Sequence, residues 1–269
     1  MIYVVISDIS SVDLELSKGK EEEISYLKEL ISHTKNAEKK KERVGEYLTL
    51  LGVYKELFEK ELPGITETDT GKPVFMEAKN PISFNISGEG NCIAIALTDE
   101  ETRKVGIDLV SICSRVEKKG IEERFIGKLD FSLICDTGAD IRLYYSKLKE
   151  NGELEFLTRI YPDGKNTGDL KVCTIGNILT EEKEGSENGT LPYPVSTVCL
   201  ERVNNSLTNF ENADTLLKWS MLESVLKCDG RGFGAFTEAN KLFAISRIAS
   251  YKVKACDSEY YLSVSLLIK

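Results

Sequence analysis

Trp219-Ser-Met-Leu-Glu223-Ser-Val-Leu-Lys227-Cys-Asp-Gly230-Arg-Gly232 places an acid and a base one helical turn apart, just ahead of a glycine stop. Leu217, Met221, Leu222, Val225 and Leu226 recur at helical spacing and mark the side expected to be buried. Glu223, Lys227 and Ser220 fall on the opposite side. The helix is expected over about 213–228, with Asp214 or Asn212 as its N-cap and Gly230 as its stop. Taken alone, Glu223 and Lys227 are an exposed i,i+4 ion pair worth roughly 0.3 kcal/mol. Trp219, the one tryptophan, is on the same terms a core or rim aromatic.

Downstream, Leu242–Lys254 and Tyr260–Leu267 read as a hairpin turning at Ala255-Cys-Asp-Ser-Glu259. Upstream, Val44, Tyr47, Leu48, Leu51, Tyr54, Leu57 and Phe58 recur helically between Lys41 and Lys60, closed by Leu62-Pro-Gly64. A second helical stretch, 20–33, carries Ile24, Leu27, Leu30 and Ile31 on one face. The period then shortens. Residues 1–7, Ile82–Ile86, Cys92–Leu97 and Val105–Val110 read as strands, with Gly88-Glu-Gly90-Asn91 as a turn. Ile93–Leu97 and Val105–Val110 are expected to form a hairpin through Thr98–Arg103. Gly120–Phe125 reads as a short helix, and Glu153–Ile160 with Leu170–Ile178 as a strand pair around Pro162-Asp-Gly164. Thr180–Thr190 reads as a polar surface loop or disordered segment. One long helix with antiparallel strands, then a second helix with another hairpin, predicts an α+β fold. The expected form is two similar lobes related by a pseudo-twofold, each a long helix on a small antiparallel sheet. The N-terminal lobe covers 1–110 and the C-terminal lobe 111–269, with the site where they meet.

The chain has 269 residues, 41% of them hydrophobic, and a net charge of −9, which argues against general nucleic-acid binding. Its seven cysteines are scattered and contain no Cys-x-x-Cys pair, so free thiols in a reducing cytoplasm are expected. The N-terminus is apolar but short and lacks a basic flank, and no run is long enough to span a membrane. His33 is the one histidine, which excludes histidine-dependent triads unless His33 itself serves. A general base here is expected to be a carboxylate or a metal-bound water. Lys35 to Arg43 is a basic run, either a solvated helix start or an anion-attracting rim.

Asp108 interrupts an apolar strand, Val105-Gly-Ile-Asp-Leu-Val110. A carboxylate there needs a cation, a metal or several donors, unless it is a hairpin-end residue. Alternation puts positions 108 and 110 on one face, but Val110 cannot ligate. Asn85 and Ser87 offer hydrogen bonds to backbone or to a phosphate, and Gly71-Lys72-Pro73 alone is a turn.

In order, Gly71-Lys-Pro73, Phe84-Asn-Ile-Ser87, Val105-Gly-Ile-Asp108, Glu123-Arg-Phe125 and Trp219-x-x-x-Glu223-Ser-x-x-Lys227-x-x-Gly230-x-Gly232 resemble the 4′-phosphopantetheinyl transferase superfamily. The long, single-chain, pseudo-dimeric type is the nearest likeness. It implies transfer of 4′-phosphopantetheine from coenzyme A to a serine of an acyl or peptidyl carrier protein by a cytoplasmic monomer. By similarity, Asp108 and Glu223 hold Mg²⁺, Glu223 is also a candidate base, and Lys227 stabilises the transferring phosphate. Lys72 and Arg43 would hold the nucleotide's phosphates, with Asn85 and Ser87 lining the cofactor site. The likeness omits 127–210, which it implies is an insertion. Gly88, Val110 and Leu222 stand where the family often has histidine, an acid and lysine. The alternative is a non-catalytic relative that binds a carrier protein or nucleotide as a regulator or scaffold.

Overall fold

The computed structural model describes residues 1–21, 24–76, 82–99, 104–113, 118–136, 140–161, 171–174, 198–203 and 214–267. The chain opens with β1 (Ile2–Asp8), α1 (Lys18–Glu21), α2 (Ser25–His33) and α3 (Ala37–Phe58). The helix expected over 20–33 is thus two pieces. α3 begins where the Asn36 side chain accepts from the Lys39 amide at 2.9 Å, and ends at Glu59, whose φ is 53°.

Next come β2 (Ile65–Glu67) with β3 (Pro73–Phe75), then β4 (Ser83–Glu89), β5 (Cys92–Thr98) and β6 (Val105–Ser111). They are followed by α4 (Lys118–Arg124), β7 (Cys135–Asp136), β8 (Ile141–Leu148), β9 (Leu154–Tyr161), β10 (Lys171–Thr174) and β11 (Cys199–Val203). The chain closes with α5 (Thr215–Asp229), α6 (Ala239–Ile245), β12 (Ser246–Ala255) and β13 (Ser258–Leu267). The expected β12–β13 hairpin and β9–β10 pair are present, and β4 pairs with β5 across the expected turn. Leu242–Ile245, expected as strand, belongs to α6. The expected loop at 180–190, the turn at 162–164 and Asn212 lie outside the described residues.

These elements make a mixed α+β fold with one six-stranded sheet, β10-β9-β8-β1-β5-β4, and one five-stranded sheet. The latter runs β11-β12-β13-β6, with β7 beside β12. The expected hairpin between β5 and β6 is therefore corrected. β5 is already flanked by β1 and β4, and β6 pairs with β13 instead. Strands β8 and β9, from the block the family likeness omits, extend the first sheet on the free side of β1.

All seven residues of β5 are buried, because each face of its sheet is covered. Cys92, Ala94 and Ala96 share one core with Ile2, Val4 and Ile6 of β1 and with Tyr251, Val253, Leu262 and Val264 of the other sheet. The alternate residues Ile93, Ile95 and Leu97 pack with Val44, Tyr47, Leu48 and Leu50 of α3. β6 divides the same way. Val105, Ile107 and Leu109 join the inter-sheet core, which leaves Gly106 and Asp108 on its opposite face. Among the described residues no helix is long and apolar enough to cross a membrane.

Candidate functional site

α5 reaches β6 through Gly106. A Cβ at that position would sit 2.0 Å from the Ser224 carbonyl oxygen and 2.5 Å from the Cys228 amide nitrogen. The missing side chain therefore lets the helix lie directly on the strand. The Asp214 carboxylate caps α5 by accepting from the Leu216 amide at 2.8 Å. Gly230 ends it with φ 95° and its amide on the Leu226 carbonyl. Ser220, expected on the exposed side, is fully buried. Its hydroxyl donates to the Asp108 carbonyl at 3.2 Å. The correction has a simple cause: α5 buries one side against α6 and its neighbours and the other against β6 and β13.

This contact brings three of the expected residues together. The Lys227 ammonium lies 2.6 Å from Asp108 Oδ1 and 3.8 Å from Glu223 Oε2. It also donates to Ser87 Oγ at 3.0 Å. Asp108 is 3% exposed, and its Oδ2 has no hydrogen-bond partner. Burial and the neighbouring Asp108 carboxylate raise the Glu223 pKa to about 8, against the pull of Lys227. Burial opposes the charge of Lys227, but Asp108 and Glu223 outweigh it and raise its pKa. The i,i+4 pair of the sequence is thus one side of a partly buried triad.

Asn85 and Ser87, two residues apart on β4, face the same way. Asn85 Oδ1 accepts from the Ile107 amide at 2.8 Å, and Ser87 Oγ accepts from the Leu109 amide at 3.2 Å. Ser87 also donates to Asp108 Oδ1 at 3.2 Å. Of the two uses open to them, both serve backbone, and Ser87 in addition touches the charged group. The adjoining edges of the two sheets are joined here by side chains in place of a backbone ladder.

Arg43 and Lys72 are otherwise engaged. Arg43 Nη1 lies 2.8 Å from Glu46 Oε2. Burial works against its charge, but Glu46 outweighs this and raises the Arg43 pKa. Lys72 donates to the Lys227 carbonyl at 2.7 Å and the Val105 carbonyl at 3.5 Å, so it caps the negative end of α5. Burial lowers its pKa. Lys72 also lines a cavity of about 420 Å³ with Lys104, Arg231, Val74, Phe75 and Phe84.

The sequence reading missed two carboxylates. Glu46, 3% exposed, acts on both Arg43 and Lys227. Its place three residues after Arg43 was a readable signal for the ion pair, but its burial was not. Glu89 has a pKa raised by burial and by Asp108. No cluster of three or more metal-ligating side chains forms among the described residues. At the divergent positions, Leu222 is fully buried in the core beneath α5. A side chain at Gly88 would meet Ile93 Cδ1 at 2.8 Å and Glu42 Oε1 at 3.0 Å. Val110 is 7% exposed.

No protein-family model matches this chain, and no curated protein matches it.

Proposed function

We propose that this chain transfers the 4′-phosphopantetheine arm of coenzyme A to a serine of an acyl or peptidyl carrier protein, with Mg²⁺. The observation that most supports this reading is the pair of carboxylates under Lys227. Asp108 Oδ2 is buried without a partner, and Glu223 beside it has a pKa raised to about 8 by burial and by that carboxylate. Two carboxylates this close repel once both are ionised, and a cation shared by both groups would relieve the repulsion. Mg²⁺ accepts one or two carboxylates and completes its shell with water and phosphate oxygens. Asp108 and Glu223 fit it as ligands. When bound, the ion would offset pyrophosphate charge and orient an in-line displacement.

The chain's own residues supply the rest. Lys227 faces the carboxylates and stabilises charge on the transferring phosphate. Glu223, once ionised, accepts the serine proton directly or through water. The serine oxygen bonds to the β-phosphorus of coenzyme A, the bridging phosphorus–oxygen bond breaks, and 3′,5′-ADP departs. The cavity beside Lys72 has an aromatic side of Phe75 and Phe84 and a mixed rim of Lys104, Asp69 and Asp229, with Arg231 paired to Asp229 and Glu238. The aromatic side suits a nucleobase. The pseudo-twofold belongs to the same reading, since a long helix precedes a hairpin twice, α3 before β4–β5 and α5 before β12–β13. A cytoplasmic monomer completes it.

Incubating the chain with coenzyme A, Mg²⁺ and a panel of apo carrier proteins tests the reading by intact mass. No phosphopantetheine gain on any carrier, at high enzyme concentration, overturns it. A second reading, a regulator or scaffold that binds carrier or nucleotide without transfer, has its own support. Arg43 is already paired with Glu46, and Leu222 is withdrawn into the core. Calorimetry separates the two. A transferase binds coenzyme A only with Mg²⁺, and Asp108→Ala or Glu223→Ala weakens binding roughly tenfold or more. A scaffold binds carrier with an affinity that neither substitution moves.

A further inference from the structure

We infer that Cys92 and Cys256 are a paired dithiol, which a small-molecule disulfide such as glutathione disulfide converts to an intramolecular cross-link between the two sheets. Cys92 opens β5, opposite Asp8 of β1 and Glu89 of β4. It shares a face with Ala94 and Ala96, and so points into the inter-sheet core. Cys256 lies in the two-residue turn between β12 and β13, with φ 50°. It packs against that same core from the other sheet. Its Sγ is 4.0 Å from the carbonyl oxygen of Ser7, the residue just before Asp8. The turn of one sheet thus sets a thiol against the end of β1, where the neighbouring strand presents Cys92. The two thiols are near enough for Cys256 to raise the Cys92 pKa. The other described free cysteines are differently placed. Cys113 and Cys135 are exposed, and Cys228 is buried with its thiol on the Lys104 carbonyl.

The order of steps follows from access. The neighbouring Cys256 thiol and burial hold the Cys92 thiol well above the ordinary range, and Cys92 is fully buried. Half-buried Cys256 therefore reacts first, because the thiolate is the nucleophile and needs a path to its target. Its thiolate attacks one sulfur of glutathione disulfide and expels glutathione thiolate. Cys92 then gives up its proton, attacks Cys256 Sγ in the mixed disulfide and expels the second glutathione. Two thiols and one small disulfide become one protein disulfide and two glutathiones. Nothing in this exchange requires coenzyme A. Its product ties the end of the β4–β5 hairpin to the β12–β13 turn, and so fixes the sheets whose adjoining edges carry Ser87 and Asp108.

The test uses the full chain, folded, with glutathione disulfide. Proteolysis is expected to release a linked peptide holding Cys92 and Cys256, two hydrogens lighter than its reduced parts, with no glutathione retained on either cysteine. The unfolding midpoint is expected to rise by roughly 5–15 °C and to return with dithiothreitol. By peptide mapping, Cys92→Ser should stop at a glutathione adduct on Cys256, and Cys256→Ser should leave Cys92 unmodified. If Cys92→Ser does not fold, mapping of the wild-type product decides alone. Wild-type chain that keeps glutathione on Cys256, or links a different pair, overturns the inference.

Discussion

Glu223 is a surface-type residue made into a partly buried acid by its neighbours. In an unfolded chain its carboxyl titrates near 4.5, while the fold holds it at about 8. Between those values the folded state binds more protons, so stability falls as pH rises from about 4.5 to about 8 and then levels. Glu223→Gln removes that titration. Its expected effect is a gain of roughly 1–3 kcal/mol at pH 8, absent at pH 4.5. Urea denaturation at the two pH values measures it, and an equal gain at both would refute the assignment. The same substitution removes a proposed metal ligand, so it should separate stability from coenzyme A binding. The sequence carried the identities of Glu223, Lys227 and Asp108 but not their charge states. The apolar run around Asp108 signalled its burial, but the raised pKa values of Glu223 and Lys227 depend on how α5 packs against β6, which no local pattern encodes.

At the scale of elements, α5 was readable almost to the residue. Asp214 caps it and Gly230 stops it with positive φ, both of which are local signals. Its packing was half readable. The apolar stripe announced the face toward α6, whereas Ser220 and Ser224 gave no sign of the face toward β6, although both are fully buried. Small polar residues hide such contacts, because they bury backbone approach and hydrogen bonds in place of apolar area. The partner signal lay in Gly106, which reads as an ordinary strand glycine until the helix is in view. Gly106→Ala is expected to force α5 off β6, since the added carbon meets backbone at 2.0 and 2.5 Å with no flexible tip to yield. The expected loss is about 3 kcal/mol or more, read as a lower urea midpoint. A loss under about 1 kcal/mol would mean that the helix slides freely.

Across the whole molecule, the two sheets meet through a core and a seam, and the seam is the part the sequence reading mistook. It assigned β6 to β5 because adjacent strands most often pair. β5 has no free edge once β1 and β4 flank it, so β6 crosses to β13 and lies beside β4 without a ladder. Asn85 and Ser87 supply the acceptors that a strand would have offered to Ile107 and Leu109. If this is how the sheets cohere, they unfold together. Trp219 reports on the second sheet's helical layer, and far-ultraviolet circular dichroism reports on the whole chain. Both are expected to give one urea midpoint in the wild-type chain. Asn85→Leu leaves the buried Ile107 amide without its acceptor, at a cost of about 1–3 kcal/mol. Both midpoints should then fall together, with unchanged slopes. A mutant whose tryptophan signal separates from its dichroism would instead mean two independently folding sheets, held together only by the core between them.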